Sequence, residues 1–440
     1  MKIKSFRIDG FRNLDDVTVH LGGITALVAT NNYGKTNLID GIEFGVNYIN
    51  ANKAQRSRMM SDEKLLPLNK VLEDRDFLFE IELEDAGLGK YKYMRYGFSF
   101  SWIKDDESGC RITNEILEMN DRASGRWASY IDRPSEKFRK SYNTRSMRSL
   151  ALDDTTLAID IIPSLKDIDI SEPIKRLKEL IVVMYRTLEA GDRCRPTPIE
   201  FADKIVPPDA IAFDDEDLPR SLFRFRQHNP EAYTEFLSNI YDLFPTFSNV
   251  SVDTFELKGD IYEMLNETLH RDDDSEKNGE VPFKIRNDQY RLSITDDTLN
   301  QPVDISLMST GTKRIIWLVA NTIISHYGKA HCLGIEEIEA SVHPKMTKAL
   351  LEVLDRYTRD AGLLVTSHSP YLIQYLKPQQ IYIGIPNDAG VAKFAKIGES
   401  KLDLALTLAY KRGLGLGEYI FELLASEDGL HNTLAQLIGE

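Results

Sequence analysis

Residues 22–44 read GGITALVATNNYGKTNLIDGIEF. A short apolar run, Ile24 to Val28, enters a polar turn, and the segment that leaves it carries Leu38, Ile42, Val46 and Ile49 at the spacing of one helix face. Strand, turn and helix in this order is the context a phosphate loop needs. The candidate ATP-binding set is Asn31, Asn32, Tyr33, Gly34, Lys35, Thr36 and Asn37. Amides of Asn32 to Thr36 are expected to wrap the β-phosphate, because the first N–H groups of a helix lack intrahelical partners and its dipole is positive there. Lys35 is expected to reach the β- and γ-phosphates, and the Thr36 hydroxyl to hold Mg²⁺. The usual pattern GxxxxGK[ST] opens with glycine, whereas Ala29 stands here, and its methyl penalises any positive φ.

Three further pieces follow late in the chain: LMSTGTKR (307–314), CLGIEEIEASVHP (332–344) and LLVTSHSP (363–370). Ala330 to Glu337 reads as a buried strand ending in two carboxylates. Successive strand residues point to opposite faces, so the pair is expected to divide two jobs. Glu336 would sit by the Mg²⁺ and Glu337 would polarise the attacking water as general base. Pro344 is predicted to start a helix with Met346, Leu350, Val353, Leu354 and Tyr357 as its buried stripe. Gly362 ends that unit, and Leu363 to Thr366 form another parallel strand with Ser367 and His368 at its tip. A histidine there lies in the ligand crevice of an open α/β sheet and is the second candidate catalytic residue. Ser309, Thr310 and Gly311 precede an apolar helix, Ile315 to Ile324, and form a second anion-binding turn. With one phosphate loop already present, this turn is expected to serve a different chain, with the nucleotide sandwiched in a dimer.

The opening KIKSFRIDGFRNLDDVTVHLGGITALVATNNYGKTNLIDGI (2–42), the stretch PEAYTEFLSNIYDLFP (230–245) and the segment from Leu307 to Ile385 resemble the RecF-like and SMC-like ABC ATPases, including the overcoming-lysogenization-defect type. FRNL ahead of the phosphate loop is typical of them. The resemblance implies an α/β fold: an ABC-type P-loop ATPase head with a mixed sheet, interrupted by a mainly helical insertion. By it, Lys35 and Thr36 are Walker A residues, Glu336 and Glu337 Walker B, Ser309 and Gly311 the signature, Ala340 to His343 the D-loop and His368 the switch histidine. The strands around Phe77 to Leu83 and Tyr96 to Trp102 lie where the glutamine loop should fall. Two ATP molecules with Mg²⁺ would bind between two heads, each completed by the partner's signature, and hydrolysis would be slow and gated.

Relative to this family the chain departs at Ala29, at Glu336 where aspartate is usual, and at Thr312 where glutamine is commoner. Ala29 and Glu336 motivate an alternative, an ATP-binding scaffold that barely hydrolyses. Stand-alone proteins of this look occur as ATPase subunits of bacterial anti-phage systems such as Septu and PARIS, which implies a sensor controlling a separate effector, a nuclease or toxin. The other alternative is a RecF-like DNA repair or recombination ATPase.

The 440 residues, 42% of them hydrophobic, suffice for a large core. Three cysteines, Cys110, Cys194 and Cys332, have neither metal nor disulfide spacing, so a reduced, cytoplasmic location is expected. Charges run through Met1 to Gly10, which argues against a secretory leader, and no apolar run approaches the roughly 20 residues of a membrane span. A net charge of −15 argues against nonspecific coating of nucleic acid. The one basic run, KFRKSYNTRSMR (137–148), reads first as a solvated helix face and second as a DNA or protein contact.

Four segments are expected: 1–130, the N-terminal lobe with Walker A; 131–245, the mainly helical insertion; 246–400, the C-terminal lobe; and 401–440, a helical end. Within the insertion, Pro173 to Leu188 and Glu231 to Phe244 read as helices, and Pro207, Pro208 and Asp214 to Asp217 as linker. Arg271 to Glu280 reads as an exposed acidic loop. Neither helix sustains the heptads of a long coiled coil. After Pro386 the chain is expected to return through Val391 to Ile397 and a helix near Leu402 to Lys411. The acids beyond, Asp403, Glu418, Glu422, Glu427 and Asp428, are too scattered for a metal nuclease of ordinary domain size, so another polypeptide would supply any cleavage.

Overall fold

The computed structural model describes residues 1–61, 68–104, 106, 108–122, 125–166, 168–186, 193–195, 199–201, 217–256, 259, 263, 283–285, 288–385, 389–425 and 430–438. Packing divides the chain into two units: 1–186 with 330–338 and 358–440, and 187–329 with 339–357. The sequence had suggested breaks at 130, 245 and 400. Residue 130 lies inside the strand Ala128–Asp132, which belongs to the first unit.

In the first unit a six-stranded sheet runs in the order Val182–Tyr185, Cys332–Ile335, Leu363–Ser367, Ile24–Val28, Ile381–Gly384 and Phe394–Ala395. All pairings are parallel except the last. Ile24–Val28 and Leu363–Ser367 are buried along their whole length, as strands covered on both faces must be. Alternation sends Leu27 to one side of the sheet and Val28 to the other. Val28 packs with Ile383 and with Ala405, Ile420 and Leu423 of the C-terminal helices, which include Leu402–Lys411 as expected.

Leu27 shares its core with the helix Lys35–Asn50 and an eight-stranded antiparallel sheet. That helix buries Leu38, Ile42, Val46 and Ile49, the stripe read from the sequence. Strand Phe77–Glu84 alternates strictly, burying Phe77, Phe79, Ile81 and Leu83. Tyr48 of the helix stacks 4.6 Å from Phe98, and a Cβ on Gly45 would stand 2.0 Å from the Phe79 ring. The phosphate-loop helix is thus seated on an aromatic bed that leaves it little freedom to shift.

The second unit carries the helices Leu218–His228, Pro230–Leu243, Thr310–Tyr327 and most of Pro344–Thr358, with a three-stranded sheet of Phe247–Glu256, Asp288–Asp296 and Val303–Asp304. The helices Leu218–His228 and Pro230–Leu243 fall within 131–245, the segment expected as a mainly helical insertion, which also holds the strands Lys137–Arg139, Met147–Ser149, Val182–Tyr185 and Ile199–Phe201. Asp217, expected in a linker, instead caps the first of them by accepting from Arg220 N at 2.9 Å. Residues 207–208, 214–216 and 271–280 lie outside the described residues.

Two expectations fail in detail. The helix predicted from Pro173 to Leu188 is Ser171–Lys178, and Val182–Tyr185 turns into an edge strand of the parallel sheet. A short apolar run fits either period, and β-branched Val182 and Val183 with a parallel partner at Cys332–Ile335 tip it to strand. The basic run from Lys137 to Arg148 is no helix face either. Lys137–Arg139 pairs with Met147–Ser149 at the end of the antiparallel sheet, with Phe138 buried and Lys137, Arg145 and Arg148 exposed.

Candidate functional site

Val28 delivers the chain at the C-terminal edge of the parallel sheet, and residues 29–34 turn it into the helix that starts at Lys35. The turn needs two unusual backbone conformations, Asn32 at φ 58° and Gly34 at φ 127°. Asparagine tolerates the first, and glycine alone is suited to the second. A Cβ at Gly34 would also stand 2.7 Å from the Ala392 methyl and 2.8 Å from Asn13 Oδ1. Ala29 is not among the described residues with a positive φ, so its methyl brings no backbone strain. Space for that methyl exists because Gly384, beside it, has no side chain.

The helix begins with no side-chain cap and no acidic residue in its first turn, which leaves its amides and dipole for an anion. Asn31, Asn32 and Thr36 are exposed on this turn, while Tyr33 and Gly34 are buried behind it and Asn37 is half-buried. Lys35 is itself buried, and its ammonium donates to the carbonyls of Ala29 at 3.0 Å and Thr30 at 2.9 Å.

From behind, residues of the FRNL turn brace the loop, a role the sequence reading did not assign to them. Asn13 Nδ2 donates to Tyr33 O at 2.9 Å, Asn37 Nδ2 donates to Asn13 Oδ1 at 2.7 Å, and Arg12 donates to Asn37 Oδ1 at 2.9 Å and to Asp40. The local signal for this role is the FRNL motif itself.

The neighbouring strands bring in the acids. The strand expected over Ala330 to Glu337 spans only Cys332–Ile335, so Glu336 and Glu337 follow it rather than end it, and their environments diverge. Glu336 is 7% exposed, with its amide donating to Tyr185 O at 2.9 Å, whereas the Glu337 side chain is 42% exposed. Glu337 takes a left-handed φ of 44°, held by a bond from its N–H to Thr366 Oγ1 at 2.9 Å. Thr366 is thus a positioning residue that sequence reading missed, since only strand pairing puts it beside Glu337. Two residues later, His368 Nε2 lies 3.8 Å from Glu337 Oε1. Burial and then the charge of Lys35 push the His368 pKa below its usual value, while Glu337 pulls it up. The lowered pKa favours the neutral imidazole, which donates through one nitrogen and accepts through the other.

Thr36 and Glu336 are the groups that could hold Mg²⁺. Among the described residues no cluster of three or more His, Cys, Asp or Glu offers a cation cage. A hydroxyl and one carboxylate suit Mg²⁺ in a phosphate site, where the nucleotide and water supply the other ligands.

In the second unit, Ser309 caps the helix Thr310–Tyr327 by accepting from Thr312 N at 3.1 Å. Gly311 lies in its first turn, where a Cβ would meet Ser341 O at 2.5 Å. The turn from Ser309 to Gly311 and the Ala340 to His343 stretch are therefore in close contact. Gly311→Ala should lower the melting temperature, because the clash outweighs the ~1 kcal/mol that alanine adds to a helix. A melting temperature raised by the substitution would contradict that contact.

Among solved structures, an SMC head bound to the C-winged helix domain of ScpA superposes with a TM-score of 0.50 at 13% identity, over 91% of this chain and 99% of that one. An SMC head domain from Thermotoga maritima gives 0.41 at 12% over 90% and 100%. An Smc head domain with an extended coiled coil, bound to the C-terminal domain of ScpA derived from Pyrococcus furiosus, gives 0.47 at 13% over 94% and 99%. Comparison with curated proteins gave no match. The first superposition marks the fold as that of an ABC-type ATPase head. Residues 24–374, well over half of the chain and including Lys35, Ser309, Glu336, Glu337 and His368, match one family, and the protein belongs to it: the AAA-domain family described as "putative AbiEii toxin, Type IV TA system".

Proposed function

We propose that this chain is an ATPase that binds ATP and Mg²⁺ at the phosphate loop, associates head to head with a second copy, and acts as the sensor of a bacterial anti-phage defence complex with a separate effector. The observation that carries the ATPase reading is a buried Lys35 at the start of a helix that no side chain caps, with Glu337 and His368 3.8 Å apart just past the ends of the paired strands Cys332–Ile335 and Leu363–Ser367. Lys35 would exchange its two loop carbonyls for phosphate oxygens, which are stronger acceptors because they are charged. Glu337 would take the proton of the attacking water, and neutral His368 would orient that water or the γ-phosphate. Mg²⁺, held by Thr36 and Glu336, would offset charge developing on the phosphates. Ser309 and Gly311 of a second copy would complete each site.

The defence role rests on the family's description as a putative toxin of a type IV system and on the likeness to stand-alone anti-phage ATPases. An SMC head solved with a winged-helix domain bound is a precedent for such a head carrying a protein partner. A cytoplasmic location accords with this reading, and none of the described helices is long and apolar enough to cross a membrane. The exposed Lys137, Arg145 and Arg148 favour the repair reading, in which DNA is bound directly.

Affinity purification of the tagged protein from its host, with ATP present and with and without nuclease, separates the two. A stoichiometric protein partner that survives nuclease is expected. Recovery of DNA alone, with partners lost on digestion, would replace the defence reading with repair.

A further inference from the structure

The phosphate loop carries a bulky residue directly before Gly34, and that residue ties it to a distant part of the chain. Tyr33 is 8% exposed. Its hydroxyl lies 2.7 Å from Ile385 O and 2.8 Å from Lys393 O, donating its one proton to either, and accepts from Lys393 N at 3.0 Å. The ring meets Phe394 edge-on at 5.4 Å and fills the space that Gly384 leaves, where a Cβ would stand 2.3 Å from it. On the other side of the same peptide, Asn13 Nδ2 donates to both Tyr33 O and Gly390 O, and Ala392 N donates to Asn13 O at 2.6 Å.

Gly384 ends the strand that pairs with Ile24–Val28, and Phe394 begins its antiparallel partner. Just beyond, Ile397 packs in the core that holds Ala405, Leu423 and Leu434 of the C-terminal helices. A mechanical link therefore runs from those helices through Lys393 and Phe394 to the tip of the phosphate loop. Loop amides bind a phosphate tightly only when they already converge on it, because ordering them on binding subtracts from affinity.

We propose that Tyr33 is a positioning residue: by anchoring the phosphate loop to Ile385 and Lys393 it lets the C-terminal segment set the loop's affinity for a nucleoside triphosphate. This rests on the phosphate-loop reading above. A partner that moved the C-terminal helices would thereby tune nucleotide binding without touching the nucleotide.

The test compares the full chain with Tyr33→Phe, which keeps the ring against Phe394 and removes only the hydroxyl. Calorimetric titration with MgATP should give a Kd raised about fivefold or more, the effect of roughly one lost net hydrogen bond. KM should rise with it while kcat at saturation holds, since neither Glu337 nor His368 is disturbed. Amide exchange without nucleotide should quicken in residues 29–37 and 389–395 and nowhere else. Gly384→Ala, which pushes on the ring, should move the same readouts, and it decides the matter if Tyr33→Phe does not fold.

Unchanged affinity in a Tyr33→Phe chain overturns the proposal, whether or not exchange quickens, and leaves the phosphate-loop reading standing. A wild-type chain that binds no MgATP overturns both.

Discussion

Lys35→Ala is expected to abolish ATP binding, weakening it by about two to three orders of magnitude. Lys35 is the one side chain of the loop whose charge can meet the phosphates from within, since it is buried yet bonded to the loop's own carbonyls at Ala29 and Thr30. An anion arriving at the helix N-terminus competes for that ammonium with two neutral acceptors and wins, because ionised acceptors bond about twice as strongly. Alanine removes the cation while keeping a good helix former at the first helical position. The fold should therefore persist, and a titration with labelled nucleotide isolates the site. Binding retained in this variant would contradict the assignment of the phosphate loop.

Glu337→Gln should cut turnover by about 10²- to 10⁴-fold and leave nucleotide binding intact, so that an ATP-bound dimer accumulates. The substitution keeps shape and volume but gives up the carboxylate that would take a proton from water. What holds the left-handed turn at this position is the backbone bond to Thr366 Oγ1, which the change does not touch. Light scattering should read a doubled mass with ATP and a single one without it. A mass indifferent to ATP would remove the sandwiched dimer. Turnover indifferent to the substitution would favour the scaffold reading that Ala29 and Glu336 suggest, although Ala29 itself sits without backbone strain.

Much of the candidate site was legible because it is local. The phosphate loop, its helix and the buried stripe of Leu38, Ile42, Val46 and Ile49 depend on contiguous residues and on a helical period that sequence states directly. The strand before Glu336 and the helix from Pro344 were legible for the same reason. Where two periods fit one short run the sequence misleads: Val182–Tyr185 carries helical spacing and is strand. The basic hairpin from Lys137 to Ser149 likewise needed its neighbours, since a three-residue strand such as Lys137–Arg139 exists only by pairing.

From its sequence alone this protein was bound to carry a glycine-bearing turn between strand and helix and a pair of acids just past a strand end, because glycine conformation, proline and side-chain period act over a few residues. Only the tertiary structure decided that Thr366 holds Glu337, that His368 stands 3.8 Å from it, and that Tyr33 and Asn13 tie the loop to residues near 390. These contacts join segments from about thirty to several hundred residues apart in the chain, brought together by the order in which parallel strands lie side by side. No local preference encodes that order, which the burial of both faces of the sheet imposes on the chain as a whole.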